Sequence, residues 1–151
     1  MEIMNFKQIE NRDVPISLLL EADPSKDSIL SYLPESWCFA AVDQNQIVGA
    51  CVVKPLSPTL AEIYNLAVFP THQAKGVGSQ LLKFVLSELP CKGIKRVELG
   101  TGTFGYQLTY YQRAGFRVDA VIKDHFLQNY AEPIFENEIQ HKDMLRLYIE
   151  I

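Results

Sequence analysis

Tyr64-Asn65-Leu66-Ala67-Val68, followed after a short turn by Gln73-Ala74-Lys75-Gly76-Val77-Gly78, is the stretch that decides how this chain folds. A largely apolar strand runs into a helix start marked by two glycines. Downstream, Val77, Leu81, Leu82, Val85, Leu86 and Leu89 recur at helical spacing up to Pro90, so the glycines stand at the N-terminus of an amphipathic helix. There the first backbone N–H groups lack partners and the helix dipole is positive, so an anion can dock on main chain alone. Gly76 and Gly78 carry no Cβ to keep phosphate oxygens off the backbone, and Lys75 adds a cation beside them. A pyrophosphate is the natural guest. No Gly-Lys-Ser/Thr follows, which excludes a P-loop, and Leu81 stands where a dinucleotide fingerprint needs its third glycine. The glycine pair alone also suits close packing of helix on sheet.

Upstream of this stretch the pattern is antiparallel. Cys38–Asp43 and Ile47–Val53 read as strands joined by Gln44-Asn45-Gln46, and Leu60–Phe69 is the third strand of the meander, bounded by Pro58 and Pro70. Asp13-Val14-Pro15 opens a helix over Ile16–Ala22, and a second short one covers Lys26–Leu33. Downstream, strands over Arg96–Leu99, Phe116–Lys123 and Met144–Ile151 alternate with a helix over Tyr106–Ala114. The fold class is therefore α/β of the mixed, α+β kind, with a central, mostly antiparallel sheet flanked by helices. No repeat or linker divides the chain, which reads as a single domain over 1–151.

The 151 residues are 48% hydrophobic and carry 14 Lys plus Arg against 18 Asp plus Glu, a net charge of −4. That balance disfavours nucleic acid and anionic lipid and favours a cationic partner. Cys38, Cys51 and Cys91 fit neither a disulfide framework nor a zinc pattern and read as reduced, mostly buried thiols. No apolar run approaches the ~20 residues of a membrane helix, and the N-terminus has no leader pattern, so the expected location is cytoplasmic, with no membrane partner.

Two signatures then carry a resemblance. Gln73-x-x-Gly76-x-Gly78 after a strand, and Tyr111-Gln112-Arg113-Ala114-Gly115-Phe116 some thirty residues on, are similar to the paired motifs of the GNAT superfamily of acetyl-CoA-dependent N-acyltransferases. The order of nearly all elements between residues 2 and 124 agrees, and the stretch Glu132–Leu147 resembles a bacterial branch with no settled substrate. The resemblance implies a GNAT-like acyltransferase fold and acetyl-CoA as cosubstrate, with no metal. It implies that the backbone of Leu66, Ala67 and Val68 pairs with the pantetheine arm like an added strand. The amides of Ala74, Lys75, Gly76, Val77, Gly78 and Ser79 would hold the pyrophosphate, with Gln73 also among the cofactor-binding residues, and a backbone N–H near Leu66 would polarise the thioester carbonyl.

Family chemistry is direct attack by a neutral amine, which asks for a base toward the amine and an acid toward the leaving thiolate. Tyr111 occupies the position of the family's usual general acid; the alternative is core packing with a satisfied hydroxyl. Glu62, eleven residues before Gln73, matches the spacing of the base glutamate in the histone acetyltransferase branch. Strand alternation would set Glu62, Tyr64, Leu66 and Val68 on one side, in line with the cofactor, although a water chain can serve as base instead. The family often has an Asn shortly before the tyrosine, where this chain reads Thr103-Phe104-Gly105.

Gly100-Thr101-Gly102-Thr103-Phe104-Gly105 also matches Gly-x-Gly-x-x-Gly and resembles the first motif of S-adenosylmethionine-dependent methyltransferases. From Gly105 to residue 151 only 151 − 105 = 46 residues remain, too few for the further βα units of that fold. The glycines are expected to turn the chain where strands splay around the cofactor. His72, His125 and His141 share no ligand spacing and read as surface or loop residues. Between Asp124 and Asp143, Asp124, Glu132, Glu136 and Glu138 mix with Phe126, Tyr130 and Phe135, which suits a cationic amine; a solvated acidic loop is the alternative.

The function expected is N-acetylation of a small-molecule or peptide amine by a monomer or homodimer. The competing class is a catalytically idle acetyl-CoA-binding module with a sensory or regulatory role. Tyr111 and Glu62 together favour the enzyme, because a binding module needs neither.

Overall fold

Strands β1 (Asn5–Ile9), β2 (Trp37–Asp43), β3 (Gln46–Pro55), β4 (Leu60–Val68), β5 (Arg96–Gly102), β6 (Arg117–Ile122) and β9 (Met144–Glu150) form one sheet in the order β1-β2-β3-β4-β5-β9-β6 in the computed structural model. It describes residues 4–151; the first residues, on which the reading of no leader partly rests, lie outside the described ones. Every neighbouring pair is antiparallel except β4 and β5. Helices α1 (Ile16–Leu19), α2 (Lys26–Tyr32), α3 (Val77–Glu88), α4 (Tyr106–Arg113) and α5 (His125–Asn129) flank it, and β7 (Phe135–Glu136) pairs with β8 (Ile139–Gln140) as a separate small hairpin. The mixed, mostly antiparallel sheet agrees with the sequence reading. Strand β1, α5 and the β7–β8 hairpin were not legible there, because β1 is a polar edge strand and the others are only two to five residues long.

Local chemistry explains the elements. Gln44 and Asn45 both adopt positive φ, +50° and +64°, which closes the β2–β3 hairpin with strands of matching twist. The Ser25 hydroxyl accepts from the Ser28 N–H at 3.1 Å and caps α2. Helix α1 stops at Leu19 rather than Ala22 because its last turn tightens to i→i−3 bonds, Glu21 to Leu18 and Ala22 to Leu19.

Each sheet face has its own core. On one side Leu81, Leu82, Val85 and Leu89 pack on Phe39, Val53, Ile63, Leu99 and Leu147; on the other, Leu18, Leu19, Ile29 and Leu33 pack on Cys38, Ala50 and Val52. A fully buried leucine of this kind contributes about 1.5–3 kcal/mol by leaving water. Cys38 and Cys51 are buried in these cores and Cys91 is exposed. No helix among the described residues is long and apolar enough to cross a membrane.

A bulge in β4 overturns the simple alternation expected there. Val52 pairs with Asn65 and Val53 with Ile63, so Tyr64 is an extra residue and the faces change over across it. Ala61 and Ile63 belong to the α3-side core before the bulge; Leu66 and Val68 pack on that same core after it, while Ala67 faces the α1–α2 side. Tyr64 and Asn65 both turn to the α1–α2 side. The Tyr64 ring stacks on Tyr32 at 4.9 Å, and the Asn65 Nδ2 donates to the Leu19 carbonyl at 3.0 Å. Glu62 therefore lies on the face opposite Leu66 and Val68, not in line with them.

The parallel pairing of β4 with β5 ends at Ile63 and Leu99, and beyond it the strands part. The Phe69 N–H donates to the Val48 carbonyl at 2.9 Å, so alternation aims the backbone groups of Leu66 and Val68 away from β3 and into the gap.

Gly100 and Gly102 correct a second expectation: they do not turn the chain but lie inside β5. A Cβ at Gly102 would stand 2.3 Å from the His141 ring, and one at Gly100 would stand 2.2 Å from the Met144 sulfur. Only Gly105, with φ +108°, makes a turn. Because the His141 ring is stacked on Phe104 at 4.1 Å, it cannot retreat without breaking its contacts. Gly102→Ala is expected to destabilise the protein by about 1–3 kcal/mol through overpacking, read as a lowered urea midpoint with unchanged m-value.

Candidate active site

Two cavities meet at the splayed strands. The first, about 430 Å³, lies on the α3 side, and the second, about 440 Å³, on the α1–α2 side. Leu66, Tyr106, Gln107 and Tyr111 line both, so strand β4 and helix α4 supply a common wall.

In the first cavity the floor is the open edge of Leu66 and Val68, and one end is the N-terminus of α3. Gly76, at φ +81°, caps that helix without a side chain, and the first intrahelical bond runs from the Gln80 N–H to the Gly76 carbonyl at 3.0 Å. The N–H groups of Val77, Gly78 and Ser79 are thus left without an intrahelical acceptor and can receive an anion. Ala74 adopts φ +60°, a left-handed conformation that costs a non-glycine residue about 1–2 kcal/mol and here bends the turn around the cavity. The Gln73 side chain donates from Nε2 to the Val68 carbonyl at 2.8 Å, tying the turn to the end of β4. Gln73, Ala74, Gly76, Val77, Gly78 and Ser79 line this cavity with Leu66 and Val68; Lys75 and Ala67 do not. Ala67 is turned into the opposite core, a consequence of the bulge.

Tyr111 stands in the wall between the cavities, edge-on to Phe116 at 5.9 Å and to Tyr110 at 5.2 Å. Burial pushes its phenol well above the ordinary tyrosine value, with the Cys51 thiol adding in the same direction. Tyr110 faces the first cavity alone of the two, and its phenol, beside Gly78, is pushed up to about 12, mainly by burial. His72 also lines the first cavity; its Nε2 meets Asp43 at 2.9 Å and its Nδ1 meets the Thr71 hydroxyl at 2.9 Å.

Glu62 lines neither cavity. Its carboxylate accepts from the Arg146 Nη1 at 3.2 Å, and Glu98 lies 3.6 Å from the same nitrogen. Burial raises the Glu62 carboxyl above the usual range, against the lowering pull of Arg146. The neighbouring Tyr64, which does line the second cavity, is itself raised by burial and by the Glu62 charge.

The second cavity contains groups the sequence reading passed over. Asp23, reached from the α1–α2 loop, is buried and accepts from the Tyr32 hydroxyl at 3.0 Å, the Tyr130 hydroxyl at 3.3 Å and the Ser25 N–H at 3.1 Å. His141 lies in the loop before β9, one of the two positions expected for it, yet is only 7% exposed, and its Nε2 meets Glu136 at 2.9 Å. Of the acidic and aromatic residues singled out between 124 and 143, Phe126, Tyr130, Phe135 and Glu136 line the wall, whereas Asp124, Glu132 and Glu138 do not. The signal for His141 lay in the glycine run: Gly102 and Gly105 are the two positions where a Cβ would collide with His141 and Glu136. Among the described residues no three His, Cys, Asp or Glu side chains come together to hold a metal ion.

Residues 4–116 match the model of the acetyltransferase (GNAT) family. An uncharacterized N-acetyltransferase of Bacillus subtilis, YvbK, is 41% identical over 143 residues, covering 94% of this chain and 92% of that protein. Among solved structures, one described as an IAA acetyltransferase from Bacillus cereus superposes with a TM-score of 0.93 at 35% identity, covering 99% of this chain and 100% of its own. A GNAT family acetyltransferase from Elizabethkingia anophelis, solved with acetyl-CoA bound, superposes with a TM-score of 0.92 at 38% identity over 98% of each chain.

Proposed function

The chain belongs to the acetyltransferase (GNAT) family, and from that premise we propose that it moves the acetyl group of acetyl-CoA to a primary amine of a small molecule or peptide, by direct attack where its two cavities meet. The observation that carries this reading is the common wall. Leu66, Tyr106, Gln107 and Tyr111 face both spaces, so a thioester entering from one side and an amine from the other meet at Tyr111.

Each residue then has a physical task. The N–H groups of Val77, Gly78 and Ser79 take the pyrophosphate at the positive end of α3. The backbone edge of Leu66 and Val68 that turns away from β3, with the Val68 carbonyl already held by Gln73, pairs with the amides of the pantetheine arm as an added strand would. The Leu66 N–H donates to the carbonyl oxygen as negative charge gathers there. The amine nitrogen forms its bond to the carbonyl carbon, the carbon–sulfur bond breaks, and the proton lost from nitrogen balances the one gained by sulfur. Tyr111 donates its hydroxyl hydrogen toward the departing sulfur. Burial keeps that hydrogen on the phenol until sulfur departs; Tyr111 then gives it to sulfur and is restored by the proton lost from nitrogen.

Glu62 enters at one remove. Its carboxylate is held by Arg146, so as a base it works through Tyr64, the neighbour that reaches the acceptor cavity. A raised carboxyl is the better matched to accept a proton near neutral pH.

The test is release of free thiol from acetyl-CoA against a panel of primary amines, with acetyl-CoA binding followed by thermal shift. Amine-dependent thiol release is expected. Binding without release across the panel would replace this reading with a cofactor-binding module.

A further inference from the structure

A third cavity, about 780 Å³, opens between α3 and α4. It shares Ser79, Tyr106 and Tyr110 with the first, so the space at the start of α3 continues into it. Helical spacing builds its two walls: Ser79, Lys83 and Leu86 recur on one face of α3, and Tyr106, Tyr110 and Arg113 on one face of α4. Lys83 and Arg113 are the charged residues of the lining, and both are positive. Neither is held in an ion pair among the described residues. In a chain whose net charge is −4, two unpaired cations and no acid along one groove mark it as a place for an anion.

The spacing says which anion. Lys83 follows Ser79 by 83 − 79 = 4 residues, one turn or roughly 6 Å further along α3. The pull of the helix dipole is confined to the first turn, so a phosphate standing one ribose beyond the pyrophosphate needs cationic side chains in its place. Beside those cations the Tyr106 ring, 74% exposed, and the side chains of Leu82 and Leu86 offer apolar surface to a purine.

We propose that this groove is a nucleotide subsite, in which Lys83 and Arg113 bind the ribose 3′-phosphate of acetyl-CoA and the Tyr106 ring supports its adenine. The subsite rests on the acetyl-CoA reading above and adds to it a means of telling acetyl-CoA from thioesters that lack this phosphate. It lies away from Tyr111 and the reacting carbonyl, so it acts on KM for the thioester and not on kcat.

The experiment is calorimetric titration with acetyl-CoA and with 3′-dephospho-acetyl-CoA, which differs from it by one phosphate. The wild-type protein is expected to bind acetyl-CoA about tenfold more tightly, the sum of two exposed charge pairs of modest strength, and the preference should shrink as salt is raised. Lys83→Ala and Arg113→Ala should each cut it to a few-fold, and Lys83→Glu should reverse it by setting a carboxylate against the phosphate. Both positions are exposed, so the melting temperature should hardly move. Equal binding of the two thioesters by the wild-type protein overturns the proposal and leaves the anion site at the start of α3 intact. An equal loss of both thioesters in the variants also overturns it, since a disturbed helix does not distinguish them. If neither thioester binds the wild-type protein, the acetyl-CoA reading fails and the subsite with it.

Discussion

Tyr111→Phe is expected to lower kcat for acetyl transfer by about a hundredfold, the modest end of what a positioned proton donor contributes, with acetyl-CoA affinity unchanged. The substitution removes one oxygen and nothing else. The ring remains packed edge-on against Phe116 and Tyr110 and part of the α3-side core, so stability should move little. Tyr111 is singled out because it lies in the wall that both cavities share. The measurement is thiol release at saturating amine beside a direct binding titration of acetyl-CoA. An unchanged kcat would remove Tyr111 from the chemistry and leave it as a packing residue. Tyr110→Phe is the useful companion, since Tyr110 lines only the first cavity of the two, and its loss should act through cofactor affinity instead.

The second large effect has opposite signs for stability and binding. Ser79 is the third residue of α3, where an acidic side chain is favourable both for the helix dipole and for the unpaired N–H groups. Ser79→Glu should therefore leave the melting temperature unchanged or slightly higher, by about 0.3–1 kcal/mol of helix stabilisation. The same carboxylate stands where the pyrophosphate would bind, and like charges forced together cost several kcal/mol, so acetyl-CoA affinity should fall by about a hundredfold or more. Loss of binding together with loss of stability would mean that Ser79 matters for folding. Retained binding would show that the helix start is not the anion site.

Where the sequence could be read and where it could not follows from the range of the forces involved. The strand Leu60–Val68, the turn with Gly76 and Gly78, and helix α3 are written in local terms: alternation, punctuation and helical spacing over adjacent residues. The same holds for Tyr111, whose spacing from Gly115-Phe116 is local to α4 and its exit. Glu62 shows the limit. Its place in the chain is plain, but which face it occupies depends on one extra residue, Tyr64, and that bulge exists only because β3 pairs with β4 in a particular register. Its partner Arg146 is 84 residues away, so the ion pair that occupies its carboxylate has no local trace.

The second cavity is the extreme case of the same limit. Asp23, Asn65, Glu136 and His141 come from a loop, a strand, a hairpin and the segment before the last strand; Tyr130 and Asp23 meet across 107 residues of chain. Glycines read as turns, Gly100 and Gly102, prove to be clearances for Met144 and His141, because what a missing Cβ makes room for lies on another strand.

By itself, then, the sequence determined the mixed sheet, the helix start with its unpaired amides, and membership in an acyl-transferring family, since these depend on periodicity and on short spaced motifs. Only the tertiary structure decided which carboxylates line the second cavity. Burial, register and contacts between distant segments set the charge and shape of a cavity, and no window along the chain contains them.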